Sequence, residues 1–495
     1  MAAQELRWTL DIVPELVLAG LVLVLLPVGV LVPASRRGIA TWVALVGLAL
    51  AAWATATKLN QSAHAVFGGT YVVDPFALYF KLFAIAATAL TLLATVGHFR
   101  GQPQEGAVPG LLVLTCLGIV GLSASQDLAL IALFVQITTV GSYVLVGMAK
   151  GRRSATEGAL KLFLFSAVAS SVMIYGMTLL FGLTGTLRLP ELAQRLPSAP
   201  AVVVLVALCF VLAGYGYEMT LAPFHFWAPD TYQGAPTPIS GFVSVGPKAA
   251  GIAVLLRTVT VMLPGGLAQW PLLIGLLAAL TMTIGNVFAL RQSSVKRLLA
   301  YSSIGQVGYI LVGIATAGRS GLAVPGALLY LAVYLFMNLG AFLAVEALER
   351  RTGSDHLKWL AGSGRIQPLA AAVLALCLLS LAGFPPLGGF IGKTLLFGAA
   401  LDVNWDWLAI VMAANVALSL FYYVRVLEAL YLRNVPADET APQAGWKGHP
   451  GTRMLALRCA LGVLGLGALA SGIYPQPFVT FAAYAAHVLG GGPLL

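Results

Sequence analysis

Lys81, Lys161, Glu218, Lys248, Lys393 and Arg425 fall inside long apolar runs, with Glu346 and Glu428 nearer the ends of theirs. A charge at the centre of a bilayer costs roughly 2.5–3.5 kcal/mol on insertion scales, so such groups mark ion or proton pathways more often than accidents. Low dielectric disfavours the charged form of amines and carboxyls alike, which lets either load and release a proton as a neighbour's charge changes. Lys248 lies about ten residues into its run, roughly 15 Å along a helix and so near the midplane. Glu218 precedes Pro223 by one turn, and Lys393 follows Pro385-Pro386 by two. A broken membrane helix frees backbone groups that then need water or polar partners, so a hydrated cavity is expected beside each. His225, in Pro223-Phe224-His225-Phe226-Trp227, is a candidate relay group. Lys81, Lys161 and Arg425 have a plainer reading as snorkelling or structurally paired cations.

Other chemistries find no support. Cys116, Cys209, Cys377 and Cys459 are far apart, with no C-x-x-C spacing, and the histidines are scattered. Iron–sulfur, zinc and haem ligation by this chain are therefore not expected. Gly388-Gly389-Phe390-Ile391-Gly392-Lys393-Thr394 resembles a phosphate-binding loop but is one residue short between its glycines and has no preceding strand.

The elements that must hold these ions are membrane helices. Of 495 residues, 59% are hydrophobic and only 9% charged, against roughly 25% charged in soluble domains. Composition excludes a soluble fold and disorder together. Apolar runs long enough to cross a bilayer number about fourteen, near 12–32, 39–57, 74–97, 107–124, 127–149, 158–183, 200–222, 238–260, 269–290, 295–317, 324–348, 367–400, 406–431 and 454–473. The run 367–400 contains Gly383-Phe384-Pro385-Pro386 and reads as a broken helix; 200–222, passing into Pro223, reads as a second. Acidic Glu5, Asp11 and Glu15 flank the first run, unlike the basic start of a cleaved signal.

The net charge of +10 points to topology and anionic lipid rather than nucleic acid. One face collects Arg36, Arg37, Arg100, Lys150, Arg152, Arg153, Arg291, Lys296, Arg297, Arg350, Arg351, Lys358, Arg365, Arg433, Lys447 and Arg453. The other has only Arg7, Lys58, Arg188, Arg195, Arg257 and Arg319. The positive-inside rule puts the first face in the cytoplasm and both termini outside.

An internal repeat organises the runs. Ser142-Tyr143-Val144-Leu145-Val146-Gly147, then Gly158-Ala159-Leu160, recurs as Gly308-Tyr309-Ile310-Leu311-Val312-Gly313, then Gly326-Ala327-Leu328, about 166 residues on. A similar shift carries Pro223 onto Pro385. The copies lie five spans apart, an odd number, so they cross in opposite directions, the pattern of transporters with a midplane pathway. The organisation expected is 1–106 (spans 1–3), 107–262 (first inverted five-helix repeat, spans 4–8), 263–432 (second, spans 9–13) and 433–495 (loop, span 14 and tail), with broken helices 7 and 12.

The stretch Leu221-Ala222-Pro223-Phe224-His225-Phe226-Trp227-Ala228-Pro229-Asp230-Thr231-Tyr232-Gln233-Gly234-Ala235-Pro236-Thr237-Pro238 resembles the central signature of the antiporter-like, proton-pumping subunits of respiratory complex I. The resemblance continues through Lys296-Arg297-Leu298-Leu299-Ala300-Tyr301-Ser302-Ser303-Ile304-Gly305-Gln306-Val307-Gly308-Tyr309 and Ser380-Leu381-Ala382-Gly383-Phe384-Pro385-Pro386. Ser419-Leu420-Phe421-Tyr422-Tyr423-Val424-Arg425-Val426 and the short tail are most similar to NADH-quinone oxidoreductase subunit N. The resemblance implies an all-α polytopic fold and proton translocation in a bacterial inner membrane, driven by quinone reduction in a distant part of the complex. It also implies NuoM-type and NuoK-type neighbours, with NADH, FMN, iron–sulfur clusters and quinone in partner subunits and none in this chain. Carried over by position, Lys248 is the central lysine of span 8, Lys393 the exit-side lysine of span 12, Lys161 a span-6 lysine and His225 the signature histidine.

Two positions depart from that pattern. Gln136 stands where the family has a span-5 glutamate, and Glu218 where it has a span-7 lysine. Gln136 cannot titrate, so either Glu218 carries the proton itself, moderated by Lys161 or Lys248, or the N-terminal half-channel is inactive and the chain transmits motion. An Mrp-type cation/proton antiporter subunit, a related hydrogenase subunit and a stand-alone transporter remain alternatives on chemistry alone.

Overall fold

The computed structural model describes residues 8–149, 151–263, 269–433 and 452–489. Among the described residues twelve helices are long and apolar enough to cross a membrane, and two shorter apolar ones bring the crossings to the number expected. In chain order they are α1 Val13–Leu31, α2 Ile39–Ala56, α3 Pro75–His98, α4 Ala107–Ala124, α5 Leu128–Val146, α6 Arg153–Thr184, α7 Ala201–Met219 and α8 Thr237–Arg257. There follow α9 Gln269–Ala289, α10 Val295–Ala315, α11 Ala323–Thr352, α12 Pro368–Ala382, α13 Gly388–Asp402, α14 Asp406–Tyr431, α15 Thr452–Ile473 and α16 Gln476–His487. A short signature helix, Ala228–Gly234, lies between α7 and α8.

The helices divide by what surrounds them. The most apolar stretch of α8 is 100% buried and that of α10 94%, whereas α6 and α14 bury 39% of theirs. α8 and α10 are therefore packed in protein, and a polar side chain on either faces other helices instead of lipid. Lipid is as apolar as leucine, so helices in a bilayer associate through close backbone approach and polar contacts. α9 and α10 meet this way: a Cβ on Gly285 would lie 2.4 Å from Gly305 N, and one on Gly308 2.6 Å from Met282 N. Asn286 of α9 then bonds Tyr309 of α10 at 3.1 Å and Asn415 of α14 at 3.1 Å.

The two breaks fall where proline and glycine placed them, and they close alike. α7 ends with Thr220 in the left-handed region (φ 61°), Thr220 N bonding Tyr217 O at 3.1 Å and Leu221 N bonding Gly216 O at 2.7 Å. α12 ends with Gly383 (φ 87°), its N bonding Ser380 O at 3.0 Å while Phe384 N bonds Leu379 O at 3.0 Å. Both are Schellman closures with the same offsets, each followed by a cis peptide, Ala222-Pro223 and Pro385-Pro386. Helix neighbours also correspond: α4 packs on α5 and α8 as α9 packs on α10 and α14, and α6 packs on α7 and the signature helix as α11 packs on α12 and α13. The repeated glycines occupy matching contacts. Cβ atoms on Gly158 and Gly326 would lie 3.0 Å from Thr231 Cα and 3.1 Å from Leu395 Cβ, each on the segment beyond its break.

Several features were not legible beforehand. A hairpin of β1 His64–Val66 and β2 Tyr71–Val73 joins α2 to α3. α6 and α11 run to 32 and 30 residues, longer than their apolar runs, because polar turns extend them. α16 follows the last span, where the sequence reading had only a tail. Of the residues used to assign orientation, Arg7, Lys150 and Lys447 lie outside the described residues, as does most of the loop 433–453. Arg257 and Lys296, counted there as loop charges, are buried at 1% and 2% exposure.

Candidate functional site

Glu218 is the next-to-last residue of α7, 4% exposed, with Oε1 lacking a hydrogen-bond partner. It faces a small cavity lined by Thr139 and Ser142 of α5, Leu162 of α6, Tyr217, Trp227, and Val243 and Pro247 of α8. About 10 Å³ is open to the centre of a water-sized sphere, room for roughly one water. Pro247, inside α8, explains much of this opening: it has no N–H, so the carbonyl of Val243 loses its helical donor, and Tyr232 Oη stands 3.5 Å from that carbonyl. The expected cavity beside Glu218 is thus present, and a proline in the neighbouring helix helps to form it. Gln136 is half-buried on α5 and is not among the residues lining the cavity; Thr139 and Ser142, further along the helix, are.

Lys248 follows Pro247 directly. It is 1% exposed, donates to Ser303 Oγ of α10 at 2.7 Å and sits 5.7 Å from the Tyr232 ring centre. Lys393 lies 4.5 Å from the Tyr309 ring centre and donates to Leu381 O at 2.6 Å and Ala382 O at 3.2 Å, the carbonyls freed where α12 stops. A helix C-terminus carries unpaired carbonyls and a partial negative charge, so the break supplies this ammonium with acceptors without an acid. Between the two lysines run neutral polar groups. Ser302, next to Ser303, shares a 2.5 Å hydrogen bond with Tyr423, and Tyr423 Oη accepts from Gln306 Nε2 at 3.0 Å. Gln306 Nε2 also reaches Leu381 O at 3.2 Å, the carbonyl that Lys393 uses, while Tyr330 donates to Gln306 Oε1. Two turns before Ser303, Lys296 donates to Ala235 O at 2.7 Å. Ser302, Ser303, Gln306, Tyr330 and Tyr423 were missed as site residues, although the Tyr-Ser-Ser-Ile-Gly-Gln stretch stood out; the usable signal was a polar stripe on a helix with no polar face to lipid.

Most of the remaining ions are paired. Lys81 meets Glu15 at 2.5 Å, and Arg257 holds Asp74 through contacts of 2.8 and 3.1 Å while also donating to Ser123 O. Glu346 pairs with His98 at 2.8 Å and Arg350 at 2.5 Å. Arg425 caps α9 through the carbonyls of Leu290 and Gln292. Lys161 is only partly buried and pairs with Glu157 at 2.6 Å and Asp230 at 2.5 Å, near the start of α6 and away from Glu218's cavity lining. Asp230 also binds Arg297. Burial pushes the Asp230 carboxyl up, but hydrogen bonds from Lys161 and Arg297 outweigh it and hold it below its ordinary value. His225 is 5% exposed in the break, stacked on Phe226 at 4.5 Å, with Nδ1 lacking a partner. Among the described residues no three His, Cys, Asp or Glu side chains gather where they could hold a metal ion.

Matching repeats, two helix breaks and buried lysines without counter-ions define an antiporter-like membrane subunit. Residues 125–419 match the family described as NADH:quinone oxidoreductase/Mrp antiporter, transmembrane. The NADH-quinone oxidoreductase subunit N of Trichlorobacter lovleyi is 37% identical, with 97% of each chain covered. That of Moorella thermoacetica is 39% identical, covering 94% of this chain and 96% of the relative. A chain of respiratory complex I from Thermus thermophilus with bound aureothin superposes with a TM-score of 0.79 at 31% identity, over 97% of this chain and 100% of that one. A chain of the Mrp complex from Dietzia sp. DQ12-45-1b reaches 0.85 at 23% identity, covering 97% and 98%, a likeness of fold alone. Backbone shape is shared by both assemblies, and sequence separates them. The chain belongs to the NADH-quinone oxidoreductase subunit N family.

Proposed function

We propose that this chain is the proton-translocating membrane subunit of a bacterial NADH:quinone oxidoreductase, with both termini on the outer side of the inner membrane. Protons move along Glu218, His225, Lys248 and Lys393, driven by quinone reduction elsewhere in the complex, with Lys161 on the flank. Partner subunits, NuoM-type and NuoK-type among the membrane neighbours, carry NADH, FMN, iron–sulfur clusters and quinone. Residues 107–262 and 263–432 form two opposed half-channels, framed by 1–106 and 433–495. The observation that carries this reading is the lack of a counter-ion, among the described residues, at Glu218, Lys248 and Lys393, with both lysines bordering the polar stripe of α10: Lys248 bonds Ser303, and Lys393 shares the Leu381 carbonyl with Gln306. An unpaired buried ion is costly and is free to change charge, whereas a paired one is held in a single state.

A second reading, a chain that transmits motion through an inactive first half-channel, is favoured by Gln136, which cannot titrate. Protons moved per NADH oxidised by the assembled complex in sealed vesicles separate the two. Lys248→Met is expected to lower that ratio; an unchanged ratio sinks the pumping proposal. Glu218→Gln is expected to lower it as well, and no change there favours the inactive half-channel.

A further inference from the structure

On the arginine-rich face, the ends of α2, α3 and α4 enclose a groove of about 540 Å³. One wall is apolar and turned outward: Ile39 is 56% exposed and Trp42 57%. Tryptophan is favoured where a membrane meets water, which puts this end of α2 at headgroup depth. The mouth carries Arg36 and Arg100, both exposed, and neither guanidinium has an ion pair or hydrogen bond among the described residues. Several other arginines are committed: Arg37, one residue on, donates to Val32 O and Pro103 O, and Arg257, Arg297, Arg350 and Arg433 each hold a carboxylate. Glu105 lines the same groove, but its Oε2 is taken by Gly101 N at 2.8 Å, so it ties down the loop that follows Arg100.

We propose that this groove binds one anionic phospholipid, its phosphate held by Arg36 and Arg100 and its acyl chains running down Ile39 and Trp42. Two unpaired guanidiniums suit phosphate oxygens, since the planar fork donates in pairs and is weakly hydrated. The apolar wall gives diacyl chains a surface that continues into the bilayer, and a free phosphate has no use for it. None of the buried lysines lines this groove.

The test uses the assembled complex in phosphatidylcholine nanodiscs doped with a few per cent of diazirine-bearing phosphatidylglycerol, with crosslinks mapped to peptides after irradiation. Labelling is expected to concentrate on the segments around Trp42 and Val96–Val108 and to exceed that from an equally doped phosphatidylcholine probe. Each basic group near an anionic surface contributes on the order of a fivefold preference. The R36Q/R100Q pair is therefore expected to lower the phosphatidylglycerol preference there by about twentyfold, and R36K/R100K to keep most of it. Quinone reductase activity of each variant verifies assembly. Equal labelling by both probes, or labelling indifferent to R36Q/R100Q, overturns the site. Millimolar inorganic phosphate that removes the preference shows a free-anion site and overturns the lipid.

Discussion

Lys81 and Lys248 are equally hidden, at 0% and 1% exposure, yet one touches a carboxylate and the other a serine hydroxyl. Side-chain type and depth were legible in the sequence; the partner was not, because Glu15 is 66 positions and two helices away from Lys81 and Ser303 lies 55 positions from Lys248. The pairing decides the role, since a hydrogen bond to a charged group contributes about 1.5–3 kcal/mol and a pKa unit is about 1.4 kcal/mol. Removing the Ser303 hydroxyl should therefore take from the Lys248 amine the acceptor that it now holds. Ser303→Ala is expected to lower protons pumped per NADH while quinone reduction in leaky vesicles stays near normal, and Ser303→Thr to restore pumping. Loss of quinone reduction alongside pumping would mean a packing role for the hydroxyl instead.

At the scale of the helix, both breaks could be read from Pro223 and Pro385-Pro386, because proline and its predecessor are excluded from a continuing helix. The part Pro247 plays in the opening beside Glu218 was harder to see: it lies in an unbroken apolar run, and its effect, a freed Val243 carbonyl, is felt on the neighbouring Tyr232. The glycines after the second break, which only resemble a phosphate-binding loop, are contact points. A Cβ on Gly389 would stand 1.8 Å from the backbone oxygen of Ser380, with no flexible atom to give way. Gly389→Ala should abolish accumulation of the subunit, whereas Gly462→Ala, with nothing within 4 Å, should be neutral or stabilising by about 1 kcal/mol. Immunoblots of membranes together with thermal shifts compare the two. The first break closes on Thr220 where the second uses Gly383; a branched residue at positive φ is strained by roughly 1–3 kcal/mol. Thr220→Gly should raise the melting temperature by a few degrees without changing pumping, and a lowered one would show that the threonine methyl is needed for packing.

At the scale of the whole molecule, paired ions join helices that are distant in sequence. Arg257 and Asp74 join α8, which carries Lys248, to the start of α3, and the same guanidinium reaches the end of α4 at Ser123. On the arginine-rich face Asp230 gathers Lys161 of α6 and Arg297 of α10, and so clasps the first repeat to the second. Its carboxyl, lifted by burial but lowered further by those two cations, stands below the unfolded value, which is about 3.9. A depressed folded value means that the clasp contributes its full stabilisation above the unfolded one and loses it as pH falls through the lowered folded value. Because the group is partly exposed, solvent screening keeps that contribution modest. Asp230→Asn should therefore melt earlier than the wild type at pH 7, with the gap closing as the pH is taken down below 4. Thermal unfolding of the detergent-solubilised assembly, followed by tryptophan fluorescence across that range, reads the difference directly. A gap that stays constant into acid would mean that Asp230 acts through the shape of its hydrogen bonds, with its charge contributing nothing to the join between the repeats.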